Sequence, residues 1–122
     1  MTAEQLPPPP VPPDAGLRDF PFMQLDVVRL RNSGLAGEAN GDEFRAAILL
    51  ICASWHELPA GSLPDNDLQL RRYADYGRRI EEFKTVKAGA LPGWRKCSDG
   101  RLYHPLVAEK AKQAWLTRLN HR

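Results

Sequence analysis

Apolar residues are densest between Asp42 and His56, in the run DEFRAAILLICASWH, where too few polar positions remain to make a wide wet face. On a helix, Phe44, Ile48, Ile51, Cys52 and Trp55 fall on one stripe, while Ala46, Ala47, Leu49, Leu50 and Ala53 make the other sides apolar too. This pattern predicts a helix covered by its neighbours, with Ile48 and Ile51 among its main core contacts. The run is short of the roughly 20 apolar residues that a membrane-spanning helix needs. Asn40 followed by Glu43 reads as a capping box at the helix start, and Leu58, Pro59 and Gly61 stop it.

On the N-terminal side, Phe22, Leu25, Val27, Val28 and Leu30 predict a short helical piece of core cover capped by Asp26, followed by a loop from Asn32 to Gly41. On the C-terminal side, Pro64 and Asp65 signal a second helix whose apolar side is Leu68, Leu70, Tyr73 and Ala74, closed by Gly77. A third helix, from Arg78 to about Ala90, groups Ile80, Phe83, Ala90 and Leu91 in one sector, where Lys87 must snorkel. Pro92 and Gly93 end it.

The stretch WRKCSDGRLYHP predicts a β-hairpin, with Asp99 and Gly100 as the central pair of a type I′ turn. That turn sets Cys97 opposite Leu102 and Lys96 opposite Tyr103, so Trp94 and Tyr103 share one face and Cys97 and Leu102 the other. Pro105 then opens a last helix with Val107, Ala111, Ala114, Trp115 and Leu119 as its buried stripe.

These elements make a mainly α, small helical domain with one β-hairpin, in the order of a winged helix-turn-helix. Tyr76 and Gly77 supply the tight turn and the hairpin is the wing. The single domain is expected over residues 20–122. Residues 1–19 contain Pro7 to Pro10 and Pro12 to Pro13, which predicts a flexible, solvated, proline-rich arm.

Composition changes this picture little: 122 residues, 43% hydrophobic, suit one domain with a modest core. Charge changes it more. The formal +2 hides an asymmetry, because residues 1–70 carry 4 basic and 10 acidic side chains (−6) and residues 71–122 carry 13 and 5 (+8). A basic half suits a polyanion such as DNA, and a charge-paired intramolecular or subunit interface uses the same layout. The candidate nucleic-acid contacts are Arg71, Arg72, Arg78 and Arg79 around the turn and Arg95, Lys96 and Arg101 on the wing. Lys110, Lys112 and Arg118 decorate the last helix. The outer face of the third helix holds Arg78, Glu81, Glu82 and Thr85, and its glutamates oppose phosphate. Phosphate clamping by turn and wing is therefore expected ahead of base readout.

Catalytic chemistry has no foothold in the pattern. His56, His104 and His121 lie far apart with no Cys or carboxylate at ligand spacing, and Cys97 has no neighbouring base. Asp65 and Asp67 precede a helix and read as caps. A glycine-rich phosphate loop and a nucleophile elbow are both missing from the sequence. The expectation is a non-enzymatic protein with no cofactor, metal or small-molecule substrate. Two widely spaced cysteines suit reduced thiols, and the first residues do not read as a signal peptide, so a cytoplasmic location is expected.

The runs EFRAAILLICASWHELPAGSLPDND, RRYADYG and KCSDGRLYHPLVAEKA resemble an uncharacterised phage, prophage and proteobacterial family, domain of unknown function 1376, over about Phe20 to Arg118. The resemblance implies a helical, winged-helix-like domain in the setting of phage replication. The expected function is a DNA-binding replication or regulatory accessory. The alternative is a protein-interaction module, as a homodimer or adaptor, that binds no DNA.

Overall fold

The computed structural model describes residues 5–121, with α1 (Val27–Arg31), α2 (Gly34–Glu38), α3 (Gly41–Trp55), β1 (Ser62–Pro64), α4 (Asp67–Tyr73), α5 (Ile80–Ala90), β2 (Arg95–Lys96), β3 (Arg101–Tyr103) and α6 (Pro105–Asn120). Residues 1–4 of the expected arm and Arg122 at the end of the expected domain lie outside the described residues. The mainly α class holds, with a small three-stranded antiparallel sheet in place of a lone hairpin.

Helix α3 starts on the expected capping box: the Asn40 side chain accepts from the Glu43 N–H at 2.8 Å and Glu43 Oε1 from the Asn40 N–H at 2.9 Å. Its buried side is not the expected stripe. Ala46, Ala47, Leu50 and Ser54 face the interior, whereas Ile48 and Ile51 are half-buried and Cys52 is exposed. Leu50 packs with Leu63 of β1, Leu70 and Ala74 from α4 and its end, Tyr76, and Phe83, Val86 and Ala90 of α5. On α5 the buried spacing is therefore 83, 86 and 90, and Ile80, expected inside, is 45% exposed. Trp55, at the far end of α3, belongs to a separate cluster with Leu17, Ala60 and Ala111.

Strand β1 had no counterpart in the sequence reading. It pairs with β3 in the register Ser62↔Tyr103, Leu63↔Leu102 and Pro64↔Arg101, so β3 is central in the order β1-β3-β2. Before it, Gly61 adopts φ +82, and a Cβ there would lie 3.0 Å from Ala111 Cβ, so only glycine lets this turn meet α6.

The hairpin register corrects the expected one. Arg95 faces Tyr103 and Lys96 faces Leu102, a shift of one residue. Gly100 has φ +82 while Asp99 has no positive φ, and Cys97 N–H donates to Arg101 O and Gly100 N–H to Cys97 O, both at 2.9 Å. This is the three-residue loop with glycine in the left-handed position, not a type I′ turn. Because side chains alternate, the slip exchanges the partners: Tyr103 joins Cys97, and Leu102 joins Trp94 against the main core.

Two N-terminal expectations also change. Asp26 does cap α1 by accepting from the Arg29 N–H, and Ser33 caps α2 inside the expected loop. Yet Phe22 is 85% exposed, and Leu25, Val27 and Val28 are exposed as well, so this piece covers little core. The proline segment does what that piece was expected to do. Val11, Ala15 and Leu17 are buried on the domain, while residues 5–8, 10, 13, 14, 18 and 19 of the arm stay exposed.

In α6, Val107, Ala108, Ala111 and Trp115 are buried, while Leu119 emerges at 37% exposure. Leu50→Ala should cost about 2–5 kcal/mol through the cavity it leaves, and Ile48→Ala less than half of that. Urea unfolding of both variants checks the ranking, and the reverse order would place the core on the wrong side of α3.

Candidate nucleic-acid interface

The turn between α4 and α5 is built by a Schellman cap. Tyr76 N–H donates to Arg71 O and Asp75 N–H to Arg72 O, each at 2.9 Å, with Asp75 at φ 63 in the position that glycine usually takes. Asp75 thus ends the helix, two residues before the expected Gly77. The conformation turns Tyr76 inward, where its ring meets Phe83 at 5.8 Å between centroids. Arg79 lies over the Tyr76 ring at 4.8 Å and Arg45 at 5.7 Å.

Two of the predicted cations, Arg71 and Arg79, hold this turn together with Arg45, which was not among them. Arg71 Nε donates to Gly77 O at 2.7 Å. Arg79 Nη2 donates to Asp75 O at 2.9 Å and Nη1 pairs with Glu82 at 3.5 Å. Arg45 pairs with Asp75 at 3.3 Å and donates to Ala74 O. Arg72 and Arg78 are exposed and enter no ion pair among the described residues. An open cleft of ≈ 350 Å³ beside the turn is lined by Asp42, Arg45, Tyr76, Arg79, Glu82 and Thr85, with both signs of charge.

The hairpin residues divide further. Arg95 is exposed and unpaired among the described residues, and Lys96 pairs with Asp65 at 3.3 Å. Arg101 points inward: Nη2 donates to Glu57 Oε1 at 2.6 Å and Nε to Ser62 Oγ at 2.8 Å. Tyr73 Oη donates to the other Glu57 oxygen at 2.7 Å, and this bond raises the Tyr73 pKa above its usual 10.0. Glu57 escaped the sequence reading, and Tyr73 entered it only as an apolar-side residue, because nothing local marks a carboxylate just past a helix end as the partner of a strand 44 residues away.

The structure therefore gathers Arg71, Arg72, Arg78 and Arg79 at the C-terminal end of α4. Lys96 is placed at its N-terminal end, about 10 Å away for a seven-residue helix. Arg101 stands apart as an internal strut. The charge asymmetry is partly absorbed within the chain, since Asp19–Arg118, Glu57–Arg101, Asp65–Lys96 and Asp67–Lys87 each join the acidic half to the basic half.

His104 caps α6 by accepting from the Leu106 N–H through Nδ1 at 3.2 Å, which requires that nitrogen to be unprotonated. Burial lowers its pKa below 6.5. Among the described residues, no three His, Cys, Asp or Glu side chains converge as a metal site, and no helix is long and apolar enough to cross a membrane.

Residues 21–112 match a family described as protein of unknown function (DUF1376). The chain belongs to this family. The DUF1376 match takes in both sides of the turn between α4 and α5, the whole β2–β3 hairpin and the start of α6, and begins after the proline segment. No curated protein and no solved structure matches the chain.

Replacing Arg101 by Met should lower stability by about 1.5–3 kcal/mol, because the Glu57 carboxylate loses its charged donor in a half-enclosed site. Urea melts read this out, and a loss under about 0.5 kcal/mol would show an exposed pair. For His104 the folded-state pKa lies below the unfolded one, so its contribution is complete above 6.5 and is lost as pH falls through the lowered folded value. His104→Asn, which keeps a capping acceptor, should flatten the decline in melting temperature as pH falls below 6.5. An unchanged decline would assign the acid sensitivity to other groups.

Proposed function

We propose that this protein is a non-enzymatic winged-helix accessory that holds DNA by its phosphates, in a replication or regulatory role in phages or prophages. The observation that carries the reading is the arrangement of elements around α3. In the order α3-β1-α4-α5-β2-β3, with sheet order β1-β3-β2, α4 and α5 form the helix-turn-helix and β2 and β3 the wing. On that frame Arg72, Arg78 and Arg95 stand exposed and free of ion pairs among the described residues, ready for a polyanion. Arg71, Arg79 and Lys96 lie beside them as braced cations, and Arg101 acts through the fold alone.

Helix α5 favours backbone contact over base reading. Its Glu81 pairs with Lys84 and its Glu82 with Arg79, so its outer face is close to neutral and offers few donors to base edges.

A second reading, a protein-interaction module working as a homodimer or adaptor, draws on a different observation. Phe22, Leu25, Val27 and Val28 form an exposed apolar run, and exposed apolar patches mark association surfaces.

Fluorescence anisotropy with labelled duplex and single-stranded DNA across a salt series separates the two. The DNA reading predicts binding at low salt, and the triple variant Arg72→Ala, Arg78→Ala, Arg95→Ala should reduce the slope of log K against log salt by about 2–3. No binding at low salt contradicts it. A dimer seen by light scattering, weakened by Phe22→Ser and indifferent to DNA, supports the interaction module instead.

A further inference from the structure

We infer that the cleft between the start of α3 and the start of α5 binds a small zwitterion of the α-amino-acid type, its carboxylate held by Arg45 and Arg79 and its ammonium by Asp42 and Glu82. The inference does not rest on DNA binding.

Tyr76 supplies the first observation. The residue is only 6% exposed, its ring packed on Phe83 and covered by the guanidiniums of Arg45 and Arg79. Among the described residues, the enclosed side-chain atom left without a hydrogen-bond partner is Trp55 Nε1. The Tyr76 hydroxyl has no partner there either, so it is open, and the opening is the cleft of ≈ 350 Å³ that Tyr76 lines. A tyrosine this deep ordinarily finds a partner for its hydroxyl, and an occupant of the cleft supplies one.

The charged groups around it have bonding capacity to spare. A guanidinium carries five N–H donors. Arg79 spends three of them, on Tyr76 O, Asp75 O and Glu82, and Arg45 spends two, on Ala74 O and Asp75. The bonds to backbone carbonyls fix both guanidiniums before a ligand arrives, which lowers the entropic cost of binding. On the acidic side, Asp42 enters no ion pair among the described residues, and Arg45, one helical turn on, pairs with Asp75 instead. Glu82 meets Arg79 at 3.5 Å in an exposed contact, which is weak enough to open for a ligand. Thr85 Oγ1 donates to Glu82 O at 2.7 Å and keeps its lone pairs as acceptors, while buried Val86 gives the cleft an apolar wall.

This lining selects the ligand class. Two arginines balance two carboxylates, so a lone anion meets repulsion from Asp42 and Glu82 and a lone amine meets it from Arg45 and Arg79. A molecule with a carboxylate and an ammonium on one carbon satisfies both pairs. The volume lies at the lower end of small-molecule sites and suits a single amino acid.

NMR titration of the full chain with glycine, L-alanine and L-glutamine tests the inference, with acetate, methylammonium and inorganic phosphate as controls of one charge sign each. At least one amino acid should give saturable shifts of the Asp42, Arg79 and Thr85 amides and of the Arg45 and Arg79 Nε–H groups. Its affinity should exceed that of every control at least about tenfold. Asp42→Asn, at an exposed position, should weaken that amino acid at least about tenfold by removing a charged partner of the ammonium. Tyr76→Phe keeps the buried ring and should weaken it about threefold or more through loss of the hydroxyl. No saturable shift with any of the three, a control that binds as tightly, or undiminished affinity in either variant would overturn the proposal. Phosphate as the tightest ligand would overturn the zwitterion in favour of a simple anion site.

Discussion

Gly100, at φ +82, fixes which way every side chain of the central strand points. By closing a three-residue loop it sets Lys96 against Leu102, and the alternation of β3 then follows. Arg101 and Tyr103 project to one side of the sheet and Leu102 to the other. Leu102 completes the core that α3, α4 and α5 enclose around Leu50 and Phe83. Arg101 reaches Glu57 past the end of α3, and Tyr103 lies with Cys97 and Trp115 beneath Val11. A one-residue slip would put the guanidinium into the apolar core and a leucine against a carboxylate, so the loop and the ion pair enforce the same register.

On the hairpin, that register also decides which cations are available at the surface, as the turn between α4 and α5 does for Arg72, Arg78 and Arg79. Arg101 is consumed inside the fold, Lys96 and Arg79 are held by carboxylates, and Arg72, Arg78 and Arg95 are left facing solvent. The braced arginines still matter, since Arg71 and Arg79 fasten carbonyls of the turn between α4 and α5 and so fix where Arg72 and Arg78 emerge. Positioning and attraction are thus divided among neighbouring residues of one type. The proline segment, pinned to Ser98, braces the hairpin from outside in a similar way.

Legibility in the sequence followed locality. The capping box at Asn40 and Glu43, the cap at Asp26 and the helix start at Pro105 were readable because each depends on residues within four positions. The family was readable from motif runs, and residues 21–112 match it. Strand β1 was not readable, because three residues ending in proline carry no alternation and owe their extension to pairing with β3. The hairpin register was misread because Asp99-Gly100 suits both a two-residue and a three-residue loop, and burial of Cys97 and Tyr103 selects the latter. Helix α3 is apolar on most sides, so its sequence did not say which side faces α5. The buried role of Val11, Ala15 and Leu17 was hidden by the prolines around them, which dominate composition without preventing packing. At the candidate site, the arginines were visible as a set, but their division into struts and free charges depends on Glu57, Asp65 and Asp75, which are distant or stand past helix ends.

The most direct test of the account is an NMR titration of the full chain with a short DNA duplex at low salt, following backbone amides and arginine Nε–H groups together. The account predicts shifts concentrated at residues 71–79 and 95–98, with the Arg101 Nε–H unmoved because Ser62 holds it. Shifts centred on Phe22 to Val28, a displaced Arg101 resonance, or an unchanged spectrum would contradict it.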